Sequence, residues 1–253
     1  MCIVAFAWQA HPRWKLLAIG NRDEMHARPA EPLAQWNNPD HLLAGRDVTA
    51  GGTWLGVSEQ GRLAVVTNLS GHGVPDADCA SRGDLLKDFL SGDGRYSRIA
   101  ETNFSDFNPF NLITVDRDKA IVHSNRPNSI SMPLPPGIHG LSNGPVDKPW
   151  RKSGYLNAAL GQWIESGSDD PTVLLEDLTD QTTFQPVKQN NVDFEPALEP
   201  EHSGVFIRNP VYGTRCSTVV AVDDSGKGMI IERRYAPSGQ STGETSLSFS
   251  WPV

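Results

Sequence analysis

Residues 1–24 read MCIVAFAWQAHPRWKLLAIGNRDE, and the fold turns on this stretch. CIVAFAW is apolar on both alternating faces, with Cys2, Val4, Phe6 and Trp8 on one and Ile3, Ala5 and Ala7 on the other. Side chains alternate across a sheet, so this pattern predicts a strand covered on both sides. A second apolar run, Trp14 to Ile19, follows a turn marked by His11-Pro12 and predicts a hairpin with the first. The end of the second strand then returns beside the start of the first. Asn21, Arg22, Asp23 and Glu24 follow the second run, and the pairing brings Arg22 and Asp23 near Cys2.

Paired apolar runs recur down the chain. TWLGVSEQGRLAVVTN turns at Gln60-Gly61, FNLITVDRDKAIVHSN between Asp116 and Lys119, and STVVAVDDSGKGMIIERRY between Asp223 and Lys227. SLSFSW sets Leu247, Phe249 and Trp251 against serines, as a half-buried strand does. Helices are fewer. SRGDLLKDFL offers Ser81 as an N-cap with Asp84 three residues on. Leu156, Leu160 and Trp163 recur at helical spacing between Pro149 and about Ser166. DDPTVLLEDL places Pro171 at a first helical position behind Asp170. Thr182 to His202 reads as a polar, proline-containing connection. Two stacked antiparallel sheets with a few outer helices satisfy this pattern, an α+β class. No repeat or clear boundary divides the chain, so residues 1–253 read as one domain.

Composition narrows the function. The 253 residues carry 22 Lys+Arg against 30 Asp+Glu, a formal charge of -8 with no basic cluster. Nucleic acid and anionic membrane surfaces are therefore poor partners. No apolar run approaches the ~18 residues of a membrane span. No basic stretch precedes CIVAFAW, which argues against a secretory signal. Cys2, Cys79 and Cys216 form neither a CxxC pair nor a closely spaced even set, against a disulfide framework or structural zinc. The expected location is cytoplasmic.

Cys2 has two readings. A thiol in a dry strand is an inert packing residue. If Met1 is trimmed, Cys2 becomes a terminal residue whose α-amine, with a reference pKa of roughly 8, serves as base for its own thiol. That chemistry needs a cation for the thiolate, a carboxylate for the amine and amide donors for the oxyanion. Arg22, Asp23, Asn68, Asn143 and Arg215 supply these types, all at strand ends. Each also has an ordinary reading: a charged turn for NRDE, turn asparagines, a surface arginine.

Several short motifs occur in order: MCI, NRDE followed by Arg28-Pro29, GGTWLG (51–56), Thr67-Asn68, Arg82-Gly83, FNL (110–112), GLSN (140–143), PWRK (149–152) and YGTR (212–215). The set resembles the NRDE family, also called the transport and Golgi organisation protein 2 family, over nearly the whole chain. That family is similar, more distantly, to N-terminal-nucleophile hydrolases of the choloylglycine hydrolase and penicillin V acylase type. The resemblance implies a four-layer αββα fold and an amide-hydrolysing site of Cys2, Arg22, Asp23, Asn68, Asn143 and Arg215, with no cofactor required. Arg22 and Asp23 are adjacent here, whereas the acylases separate them, and adjacent strand residues face opposite sides.

The resemblance also implies a rival. Family members are tied to haem trafficking and to acyl-lipid or coenzyme A metabolism, so haem is a second expected ligand and a non-catalytic carrier a second role. An iron ligand would come from Cys2, a methionine or a histidine, with His26 best placed. The implied partner is a small molecule: an amide, an acyl compound or haem. The remaining signals read as bystanders: Arg82-Gly83-Asp84 as a helix start, Cys79 as a loop residue, and Trp36 and Trp54 as core or pocket rim.

Overall fold

The computed structural model describes residues 2–146, 150–184 and 203–252, with the backbone of 188–189 and 192–193. Its first element, β1 (Cys2–Trp8), pairs antiparallel with β2 (Trp14–Met25) in the register Cys2↔Arg22 to Trp8↔Leu16. NRDE therefore does not follow the second strand; it lies inside it. Beyond it run β3 (Ala30–Gln35), β4 (Leu42–Asp47), β5 (Leu55–Ser58), β6 (Arg62–Asn68), β7 (Phe110–Asp116), β8 (Lys119–Ser124), β9 (Ile130–Pro133) and β10 (Gly137–Leu141). Two-residue β11 (Lys188–Gln189) and β12 (Val192–Asp193) pair with each other, and β13 (Tyr212–Asp223), β14 (Lys227–Tyr235) and β15 (Ser241–Ser250) end the chain.

The strands form two large antiparallel sheets. Sheet one runs β10-β1-β2-β13-β14-β15, and sheet two is the sequential meander β3 to β9. Alternation along each strand then sorts the apolar side chains into three layers of core. Between the sheets lie Val4, Phe6, Trp8, Leu16, Val220 and Val222 of sheet one against Leu55, Leu63, Val65, Ile113 and Val115 of sheet two. On the outer face of sheet one, Ile3, Ala5, Leu17, Ile19 and Val219 meet Leu156, Leu160 and Trp163 of helix α2 (Arg151–Glu165) and Leu174 and Leu175 of the short α3 (Leu174–Asp177). On the outer face of sheet two, Leu42, Ala64 and Leu112 meet Leu85, Leu86, Phe89 and Leu90 of α1 (Arg82–Ser91). The layers are helix, sheet, sheet, helix.

The helix signals hold with one adjustment. Ser81 caps α1 by accepting from the Asp84 amide at 3.4 Å, and Gly92, at φ 75°, closes the helix in the left-handed conformation that glycine tolerates. Pro171 opens not an α-helix but a 3-10 turn, Pro171–Val173, which runs into the single turn of α3. Most of the connection from Thr182 to His202 lies outside the described residues. Among the described residues no helix is long and apolar enough to cross a membrane.

Candidate functional site

At the open end of the β1–β2 hairpin the inner-face apolar pattern stops. Leu16 and Ala18 give way to Gly20 and then Arg22, which pairs with Cys2 of β1 on one side and Cys216 of β13 on the other. A side chain at Gly20 would drive a Cβ to 2.5 Å from the Ile3 carbonyl oxygen, so the hairpin needs glycine there. Arg22 is 4% exposed. Its Nη2 donates to Asp47 Oδ2 at 2.9 Å, and its guanidinium stacks on Trp54 with 4.6 Å to the ring centroid. Nη1 is buried and makes no hydrogen bond among the described residues. Arg28 shares the same Asp47 oxygen through Nε at 2.6 Å.

Cys2 and Arg22 line one cavity of about 390 Å³. Arg28, Asp47, Trp54, Asn68, Cys79 and Arg82 line it too. One wall is fixed by a close approach of two backbones. A Cβ on Gly52 would sit 2.2 Å from the Gly83 carbonyl carbon, so glycine lets the 51–53 loop rest on the start of α1. Burial pushes the Cys2 thiol above its ordinary range, and Asp23 adds to the push while Arg22 opposes it. In this chain, with residue 1 ahead of it, Cys2 is a neutral thiol at neutral pH.

Asp23 follows Arg22 and so takes the opposite face of β2. There Thr214 Oγ1 donates to its Oδ1 at 2.7 Å, and Tyr212 donates to its backbone carbonyl at 3.0 Å. Asn21 shares this outer face, donating to the carbonyls of Leu178 and Val205 and accepting from Ser217. Burial pushes the Asp23 carboxyl up, against Lys152, the Thr214 hydroxyl and Arg22, which favour its ionised form. Lys152 is itself 1% exposed, in the first turn of α2.

The other three candidates are spread around this centre. Asn68 ends β6 and lines the cleft. Asn143 is fully buried two residues beyond β10, and the register Val4↔Leu141, continued, sets it level with Cys2. Its Nδ2 donates to the Asn68 carbonyl at 2.8 Å, while its Oδ1 finds no partner among the described residues. Arg215 stands apart. It occupies a β-bulge between Thr214 and Cys216, donates to the carbonyls of Met25 and Arg28, and lines a second cavity of about 140 Å³ with Cys216, Glu232 and Arg234. Arg22 and Trp54 border both cavities.

Sequence reasoning passed over Asp47, Cys79 and Arg82. The Arg82-Gly83 motif was the available signal for the last, yet RGD reads as a plain helix start. None of the described cleft-lining residues is a histidine or methionine. His26 instead bonds the Asn209 carbonyl at 3.0 Å. No cluster of three or more metal-ligating His, Cys, Asp or Glu occurs among the described residues.

Comparison with known proteins gives the family of this chain. Residues 1–237 match the family model Transport and Golgi organisation 2. The chain is 30% identical over 270 residues to the mouse Transport and Golgi organization 2 homolog, covering 97% of each. It is 30% identical over 268 residues to the human homolog, again with 97% of each covered. The Drosophila melanogaster protein is 24% identical over 265 residues. Solved structures similar to this chain include a conjugated bile acid hydrolase from Clostridium perfringens, with TM-score 0.47 and 8% identity over 97% of this chain and 92% of that one. A Caenorhabditis elegans N-acylethanolamine-hydrolyzing acid amidase ortholog gives TM-score 0.43 and 11% identity over 86% and 92%. With a family model covering residues 1–237 and a relative 30% identical over 97% of each chain, the chain belongs to the Transport and Golgi organisation 2 family.

Proposed function

We propose that this chain carries an N-terminal-nucleophile site at which Cys2 hydrolyses an amide C–N bond once Met1 is removed. One observation carries the reading: Cys2 stands in register opposite Arg22, a buried guanidinium with a nitrogen to spare, at the edge of a cleft. Burial keeps the thiol protonated, so it needs a base. The freed α-amine of Cys2, with a reference pKa of roughly 8, is that base.

In this reading the amine takes the thiol proton, the sulfur attacks the carbonyl carbon, and Arg22 steadies the thiolate. The oxyanion is received at Asn68, which Asn143 holds by its carbonyl. The C–N bond breaks as the leaving amine takes the proton from the Cys2 ammonium, leaving a thioester. Water then gives a proton to the same amine and attacks the thioester carbonyl, the C–S bond breaks to release the acid, and the ammonium returns its proton to the Cys2 sulfur. Asp23, on the other face of β2, holds the ammonium form. Arg215, outside the cleft, braces the Met25–Arg28 backbone.

A second reading, haem carriage, is favoured by the two thiols, Cys2 and Cys79, that line one cleft. It needs no free amine. Intact-mass measurement of protein purified from cells, before and after a cysteine-directed acyl probe, separates the two. Loss of Met1 with labelling confined to Cys2 supports hydrolysis. Retained Met1 with a Soret band that titrates in, and is lost in Cys2→Ala, supports carriage.

A further inference from the structure

Around the Cys2 cleft the positive charges are not all answered. Its described lining holds Arg22, Arg28 and Arg82 against Asp23, Glu24 and Asp47. Asp47 is shared by Arg22 and Arg28. The Asp23 carboxylate faces the other side of β2, where Thr214 binds it. Glu24 accepts from the Met25 amide and favours the charge of Arg82 without pairing with it. Arg82 forms no ion pair among the described residues, and its guanidinium there makes one hydrogen bond, from Nη1 to the Pro109 carbonyl at 2.9 Å.

We propose that Arg82, with the first turn of α1, is an oxyanion subsite facing Cys2, so that the compound held in this cleft bears a carboxylate or phosphate. A guanidinium presents several donors in a planar fork that matches either group, and a partly buried one in no ion pair gains by receiving it. Arg82 and Cys2 line the same cleft, where burial pulls the Arg82 guanidinium down while Cys2 in its ionised form and Glu24 favour its charge. The same wall carries a second positive source. Ala80, Ser81, Arg82 and Gly83 line the cleft, and α1 begins at Arg82. Ser81 takes the Asp84 and Leu85 amides, which leaves those of Arg82 and Gly83 without an acceptor among the described residues, and the helix end adds partial positive charge. The wall is held in place by the Gly52–Gly83 contact. Across the cleft, Arg22 keeps Nη1 buried and unpartnered among the described residues. The described lining holds as many carboxylates as arginines, so selection of an anion comes from where Arg82 and Arg22 Nη1 stand in the cleft.

The inference rests on the Cys2 cleft being the ligand site, though not on Met1 removal or turnover. It is tested by the rates at which iodoacetate (anionic) and iodoacetamide (neutral) alkylate Cys2 and Cys79 in the full chain, read by peptide mass. The ratio cancels the thiol's own reactivity. The wild type should exceed the ratio of free cysteine by about tenfold. Arg82→Gln should bring it near the free-cysteine value, and Arg82→Lys should keep most of it. A second arm needs no variant: acetate and inorganic phosphate, against chloride at equal ionic strength, should slow iodoacetate labelling of the wild type. The more effective ion identifies the group. An unchanged ratio in folded Arg82→Gln, no protection by either ion, or no labelling of either cysteine overturns the subsite. A charge-selective cleft in a protein that retains Met1 would leave the subsite standing while the hydrolase reading fell.

Discussion

The two halves of the β1–β2 hairpin differ in kind. Near the turn, Phe6, Trp8, Leu16 and Leu17 are buried in the layers of apolar core on the two faces of the sheet. Towards the open end the same two strands carry Cys2 and Arg22 inward and Asn21 and Asp23 outward, all but Cys2 within 4% of full burial. One half follows the rule that interiors are apolar. The other buries charge at a cost that must be met by pairing and hydrogen bonds. The apolar half holds the sandwich together, and the polar half is where chemistry has material to work with.

Substitutions should separate the two halves. The largest expected effect is on activity: Cys2→Ala should abolish amide turnover, a loss of at least about a thousandfold, while urea melts shift by less than ~1 kcal/mol. A stability loss matching the activity loss would make Cys2 a packing residue. Phe6→Ala, in the apolar half, should cost about 3–5 kcal/mol of unfolding free energy through lost burial and a cavity. Asp47→Ala, in the polar half, should cost a similar ~3–5 kcal/mol, because it strips the counter-charge from the buried Arg22. A small effect at Asp47 would mean that water already reaches Arg22.

Acid titration sharpens the same contrast. Burial works against charge on Asp47, but hydrogen bonds from Arg28 and the Ala50 amide hold its carboxyl below the usual range. Its contribution to stability is therefore present above the unfolded value of about 3.9 and lost below it. Asp23 has the opposite sign. Its raised folded value means that stability falls as pH rises from about 3.9 through that value, so the site half of the hairpin is less stable with Asp23 ionised. His123 acts in sheet two, on β8, and is not among the residues that line the cleft. Burial pulls it down to about 4, between Thr114 at 2.9 Å and Ser131 at 2.8 Å. Stability should drop by ~3 kcal/mol as pH falls from about 6.5 to 4, and His123→Gln should flatten that part of the profile. The smallest expected change is at the α1 cap. Ser81→Ala should cost about 1 kcal/mol, since its 3.4 Å bond is long.

Alternation and turn residues made the hairpins legible, because each depends on neighbours in the chain. The same alternation places Arg22 and Asp23 on opposite faces of β2, as their adjacency implies. What stayed hidden depends on distant packing. β3 and β4 are short and carry Pro32, Glu31, Arg46 and Asp47, so no alternating run announces them, yet β4 delivers the carboxylate that Arg22 and Arg28 share. Arg215 reads as a strand-end residue, and only the bulge in β13 shows why it leaves the cleft. Arg82 is a helix start until the fold brings that helix to Cys2.

The most direct test of the Cys2 site is a quenched single-turnover reaction with an N-acyl amide that bears a carboxylate, followed by mass analysis of the Cys2 peptide. The predicted result is a transient acyl mass on that peptide, removed by hydroxylamine and absent in Cys2→Ala. Turnover with no acyl mass on Cys2, or with the mass on Cys79 instead, would contradict the account.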